Sequence, residues 1–177
     1  MTKFYERKDW PSLPKQMVRD LVITGRSAER AVPADKKPPF SMLKAPWSLR
    51  EWVSKNIPIE IDERWMVTLQ RFDCLHAPFH TDTMRDWSYN CVIDGKDAVT
   101  YFKDDMDGDV VSSVQYEKNV WYYHNGSVPH AVKGINGQRL AVTMFLVNPD
   151  TVGTYIGTTP QLLAAYERDP YFYYIEK

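Results

Sequence analysis

Cysteine, net charge and long apolar runs are all scarce in these 177 residues. The two cysteines, Cys74 and Cys91, permit one disulfide, but a chain of this length folds without one. Neither has a basic neighbour to activate a thiolate, so both are assigned to packing. With 22 basic and 23 acidic residues the formal net charge is −1. No strong field therefore points to nucleic acid or an anionic membrane. The local basic residues Arg26, Arg30, Lys36 and Lys37 alternate with acids and read as a solvated loop. No apolar run reaches membrane-spanning length. Met1 to Trp10 is charged and lacks the apolar centre of a signal peptide, so a reduced cytoplasmic setting is expected. There is no internal repeat. The run Asp104 to Asp109 lacks the twelfth-position Glu and the flanking helices of a calcium loop, and reads as a solvated acidic turn.

Aromatic residues are plentiful, at 14% with 11 Tyr and 6 Trp, and their first use is to fill a core. The length suits a single domain over 1–177. Residues 1–60 read as helices and loops that pack on a barrel. Met17, Val18, Leu21 and Val22 predict a helix over Leu13 to Thr24, closed by Gly25. Arg26 to Phe40 is expected to be loop, and Ser48 to Glu51 reads as a capping box opening a short helix. From Arg64 the texture changes to strands: Trp65–Phe72, Tyr89–Ile93, Ala98–Phe102, Val110–Tyr116, Val120–Tyr123, His130–Val132 and Arg139–Val147. Asp94-Gly95 between the second and third predicts a hairpin. Thr159-Pro160 predicts a last helix, followed by an aromatic tail, within 159–177. Many short strands flanked by helices make this a mainly β chain, a sandwich or jelly roll.

Within the strands, His80-Thr81-Asp82 ends an extended segment, where i and i+2 project to one side and can hold one ion. His130 is the obvious third ligand. Two imidazoles and a carboxylate suit non-haem Fe(II) with open positions, and zinc accepts the same ligands. Arg139 follows His130 by nine residues across a glycine turn. Leu140, Val142, Met144 and Leu146 share one face of its strand. Arg139, Ala141, Thr143, Phe145 and Val147 share the other, where a guanidinium beside small residues leaves room for a carboxylate. His76 is read as a loop residue. His124, before a turn, is passed over in favour of His130.

His80-x-Asp82, a gap to His130 and then Arg139 resemble the Fe(II)/2-oxoglutarate dioxygenase superfamily over roughly Arg64 to Val147. Arg139-Leu-Ala-Val-Thr143 is similar to the R-x-A-x-T strand of its prolyl hydroxylases. The resemblance implies a double-stranded β-helix over 64–147, a jelly-roll relative of the cupins. It implies iron held by His80, Asp82 and His130, with 2-oxoglutarate and O2 as cosubstrates. Arg139 and Thr143 would hold the distal carboxylate. Leu69-Gln70-Arg71-Phe72 is similar to the N-R-Y segment of the demethylases in the same superfamily, with Gln for Asn and Phe for Tyr. Gln70 keeps a donor for the carboxylate, while Phe72 loses the hydroxyl.

The expected activity is therefore that of an oxidoreductase: hydroxylation of an unidentified substrate, with release of succinate and CO2. Peptidyl proline, an amino acid or another small molecule all remain open, and neutral charge disfavours a nucleobase. Trp87, the Lys103 to Gly108 loop and the terminal segments are the expected substrate contacts. Two other classes compete: a cupin-like metalloenzyme that does not use 2-oxoglutarate, and a non-catalytic jelly-roll binding module. Arg139 with Thr143 discriminates against the first, which has no need of that clamp, and the intact triad weighs against the second.

Overall fold

The structure, a computed structural model, describes residues 3–30, 40–62, 64–72, 76–82, 85–95 and 97–146. Two antiparallel sheets face each other. The larger has six strands in the order β1 (Tyr5–Lys8), β8 (Trp121–Asn125), β5 (Trp87–Asp94), β10 (Arg139–Leu146), β3 (Trp65–Phe72) and β2 (Phe40–Lys44). The smaller has four: β4 (His76–His80), β9 (His130–Lys133), β6 (Val99–Lys103) and β7 (Val110–Gln115). This is the expected jelly-roll architecture, cupin-like in its two facing sheets.

The outer face of the larger sheet carries the main core. Val67, Leu69, Cys91, Ile93, Leu140, Val142 and Met144 meet Leu21 of α1 (Lys15–Arg30) and Leu49 and Val53 of α2 (Trp47–Asn56). Every residue of β3 is buried, because helices cover one face and the second sheet covers the other. That is why β3 reads as a continuous run rather than an alternation. The rings are used here too. Trp65, Trp87, Tyr89 and Tyr123 pack in series with centroids 5.4–6.4 Å apart. Trp87 thus belongs to this outer layer rather than to the barrel interior.

Several local expectations give way to tertiary packing. α1 does not stop at Gly25 but runs on to Arg30, so Arg26–Arg30 is helix and Phe40 begins a strand. Gly25 is needed for closeness instead, since a Cβ there would lie 2.8 Å from a Leu140 methyl. Ser48 is inside α2, whose N-cap is Pro46 with no side-chain cap bond. The segment 1–60 supplies two strands as well as helices, β1 pairing with β8 and β2 with β3. The Asp94-Gly95 hairpin does not form. β5 pairs with β8 and β10 while β6 pairs with β7 and β9, so this turn carries the chain from one sheet to the other. The helix and tail expected within 159–177, and Cys74, lie outside the described residues. Among the described residues no helix is long and apolar enough to cross a membrane.

Leu140 is fully buried in the outer core. Leu140→Ala should lower stability by about 2–5 kcal/mol in thermal or urea melts, as a cavity beneath α1. The inner face of β10 should keep its ligand affinity in the folded fraction.

Candidate metal centre

The smaller sheet positions the two histidines. His80 closes β4 opposite His130 at the start of β9, and a register shift lies between Ala77 and His80. Two residues of β4, Pro78 and Phe79, answer the single Ala131 across the ladder. This extra residue changes the parity of the strand, so Ala77 and His80 both turn inward. Phe79 is left on the outer surface, where the Lys103 and Lys133 ammonium groups lie over its ring at 4.5 and 5.9 Å. His76, expected in a loop, begins the same strand and is exposed.

Each of these histidines is fixed by a carbonyl two residues before it. Nδ1 of His80 lies 2.8 Å from Pro78 O, and Nδ1 of His130 lies 2.9 Å from Val128 O. A carbonyl only accepts, so both Nδ1 atoms carry the proton and both Nε2 atoms present lone pairs. Asp82 Oδ1 lies 4.0 Å from each Nε2, and the ligand atoms of all three residues are mutually within 4.8 Å. Two donors bonded at about 2.1 Å to one ion span up to about 4.2 Å, so Asp82 Oδ1 can share an ion with either histidine as placed, and the three together form a group that could hold a metal.

Asp82 is held from several sides. Its amide donates to Gly126 O at 2.8 Å. Arg85 Nε donates to Oδ2 at 2.6 Å, leaving Oδ1 for the histidines. The two side chains are only 7% and 8% exposed. The Arg85 guanidinium in turn lies over the Phe145 ring at 4.8 Å. A Cβ on Gly126 would fall 2.6 Å from Oδ2, so only glycine fits there. Burial opposes the Asp82 charge, but the Arg85 guanidinium together with His130 and His124 outweighs it and holds the carboxyl well below the usual range. Sequence reasoning missed Arg85 and Gly126. An arginine three residues after a candidate ligand was the one available signal.

The larger sheet supplies the opposite wall. Arg139, Ala141, Thr143 and Phe145 alternate with the core-facing Leu140, Val142 and Met144, as the strand pattern predicts. Arg139 is 5% exposed. Its guanidinium lies 5.4 Å from the Phe72 ring and 5.8 Å from the Tyr116 ring. Among the described residues it has no hydrogen bond and no carboxylate partner. Burial lowers its pKa, opposed by Tyr116. Thr143 and Gln70 are brought together, but not with Arg139. Thr143 Oγ1 donates to Asn90 Oδ1 at 2.8 Å and lies 3.2 Å from Gln70 Oε1. Asn90, also missed, continues the polar row to Ser88 Oγ at 3.1 Å.

Burial pushes the pKa of His130 down to about 4, against the pull of Asp82. The unfolded histidine titrates near 6.5, so between the two values the unfolded chain binds the additional proton. Stability of the metal-free protein should therefore be complete above about pH 6.5 and fall as pH drops toward 4. The loss from His130 is on the order of 3 kcal/mol. Melting temperatures of stripped protein across that range check this, and a flat profile would contradict the neutral, buried state of His130.

No family model matches the chain, and no curated protein matches it. The fold itself has solved counterparts. A Pseudomonas putida prolyl-4-hydroxylase is 16% identical, with a TM-score of 0.53 over 83% of this chain and 94% of that one. AviO1 from Streptomyces viridochromogenes is 12% identical, with a TM-score of 0.49 over 84% of this chain and 91% of that one. The non-haem monooxygenase ThoJ, in its nickel complex, is 12% identical with a TM-score of 0.49, over 80% and 73%. At these identities the first likeness shows a shared fold.

Proposed function

We propose that the protein is a metal-dependent oxygenase that uses Fe(II), 2-oxoglutarate and O2. The observation that carries this reading is the charge count of the barrel interior. Asp82 is neutralised by Arg85, and Arg139 is buried without a counter-ion among the described residues. A divalent metal on His80, Asp82 and His130 would add two further positive charges. An uncompensated buried cation is costly, so the interior calls for an anion that reaches both the metal and Arg139. A dicarboxylate meets that demand, and the 16%-identical prolyl hydroxylase shares the fold.

Bound to these three residues, iron would supply oxygen activation coupled to oxidative decarboxylation of 2-oxoglutarate to succinate and CO2. The rest falls to the chain. His80 and His130 offer Nε2, Asp82 offers Oδ1, and Arg85 keeps that carboxylate turned. Arg139 grips the distal carboxylate as a fork against the Phe72 and Tyr116 rings. Fully buried Phe102, 6.3 Å from the His130 ring, gives the site an apolar wall that would exclude water. Hydroxylation of a peptidyl or small-molecule substrate is the outcome we assign. A single cytoplasmic domain is the setting that suits it.

One observation favours a second reading, an oxygenase of the same fold that uses no keto acid. The Thr143 hydroxyl is committed to Asn90 rather than facing Arg139. Anaerobic addition of 2-oxoglutarate to the Fe(II) protein separates the two. A weak visible charge-transfer band, with succinate release on admitting air and substrate, is expected. Metal binding without the band would leave the second reading.

A further inference from the structure

His124 lies on the inner face of β8, beside the triad but outside it. Its ring centroid is 4.4 Å from that of His130, which is itself 4.4 Å from His80, so three imidazoles stand in a row. They are not equivalent. His124 Nδ1 lies 2.9 Å from the hydroxyl of buried Tyr116. That hydroxyl has no other hydrogen-bond partner among the described residues, so its proton goes to Nδ1. Neutral imidazole carries one proton, and with Nδ1 accepting, it sits on Nε2. A charged ring would also carry a proton there, so the conclusion does not depend on the charge of His124. Two histidines of the row thus offer Nε2 lone pairs, and the third offers an Nε2–H.

This Nε2–H has no hydrogen-bond partner among the described residues, although His124 is only 5% exposed. No histidine nitrogen among the described residues is both sealed off and unbonded, so this Nε2–H opens on the interior space, where a bound ligand can accept from it. Tyr116 links it to Arg139, since the ring that orients His124 also lies under the Arg139 guanidinium at 5.8 Å.

We propose that His124 is a further binding residue of the site, whose Nε2–H donates a hydrogen bond to an anion bound at the metal beside His130. This rests on the reading of His80, Asp82 and His130 as metal ligands. The anion is a carboxylate, such as the metal-proximal end of a keto acid, or a small inorganic ligand. His124 itself is not a ligand, because its lone pair faces Tyr116.

The test uses full-length protein loaded with Co(II), whose visible bands report its ligands. Azide and 2-oxoglutarate are titrated separately into the parent, His124→Phe, His124→Gln and Tyr116→Phe proteins. Metal affinity, measured by equilibrium dialysis, is expected to stay within about threefold of the parent in all of them. His124→Phe fills the space without the donor, and anion affinity should fall roughly 10- to 100-fold, the range for a hydrogen bond to a charged group. His124→Gln restores an N–H near Nε2 and should recover most of the affinity. Tyr116→Phe frees Nδ1, lets the proton move, and should give an intermediate loss. Loss of azide and 2-oxoglutarate together supports a donor at the metal. If azide binds tightly to the parent but 2-oxoglutarate does not, the keto-acid reading fails while His124 is still tested by azide. Equal azide affinity in His124→Phe and parent, with metal bound in both, overturns the proposal alone. A parent that binds no metal overturns both readings.

Discussion

His80→Ala, Asp82→Ala and His130→Ala should each lower Fe(II) affinity by more than roughly 100-fold. Loss of an outer partner of a metal ligand already costs roughly 10- to 100-fold, and these changes remove a ligand itself. Equilibrium dialysis under nitrogen measures it. Arg85→Ala supplies the comparison: it leaves three ligands but frees Asp82 Oδ2, now held at 2.6 Å, so the carboxylate can turn away. A loss of roughly 10- to 100-fold is expected there. His124→Ala should leave metal binding nearly intact, since its Nδ1 faces Tyr116. The ranking matters more than any one value. If His124→Ala releases the metal and His130→Ala does not, the ligand set is misassigned.

Arg139→Ala should weaken 2-oxoglutarate by roughly 30- to 1,000-fold. A bidentate, charge-assisted contact in a desolvated site is worth about 2–4 kcal/mol, and each 1.4 kcal/mol is tenfold. The structure sharpens the expectation, because Arg139 has no internal carboxylate to fall back on among the described residues. Arg139→Lys keeps the charge and loses the fork, so it should retain only part of the affinity. Fe(II) binding should be unaffected, because none of the three metal ligands belongs to the sheet that carries Arg139. Affinities come from anaerobic titration of the charge-transfer band. Unchanged affinity in Arg139→Ala would show that the cosubstrate, if there is one, is gripped elsewhere.

Side-chain alternation carried the sequence reading furthest. It sorted β10 correctly, with Leu140, Val142 and Met144 in the outer core and Arg139 and Thr143 facing inward. It worked because β10 is a regular, central strand whose two faces meet different partners. The same rule was incomplete at His80. The inward turn of that residue depends on the extra residue between Ala77 and His80, and a bulge leaves no mark in a two-residue period. Pro78 was its one trace, since proline in a strand is confined to edges and bulges. The Asp94-Gly95 turn predicts a hairpin only because a turn signal gives the local bend and not the sheet to which the next strand belongs. Gly25 looks like a helix stop in the sequence because its use, close approach to Leu140, is a long-range contact. Arg85, Asn90 and Tyr116 were missed for the same reason: their roles exist only once Asp82, Thr143 and His124 are beside them.

The two sheets divide the labour. His80 and His130 belong to the smaller sheet, with Asp82 just past the end of β4, while Gln70, Asn90, Arg139 and Thr143 stand on the larger one. On the proposed function, substitutions on β3, β5 or β10 would reshape the grip on a bound acid without moving a metal ligand. Over generations, a lineage built this way could exchange one organic acid for another while its metal stayed the same.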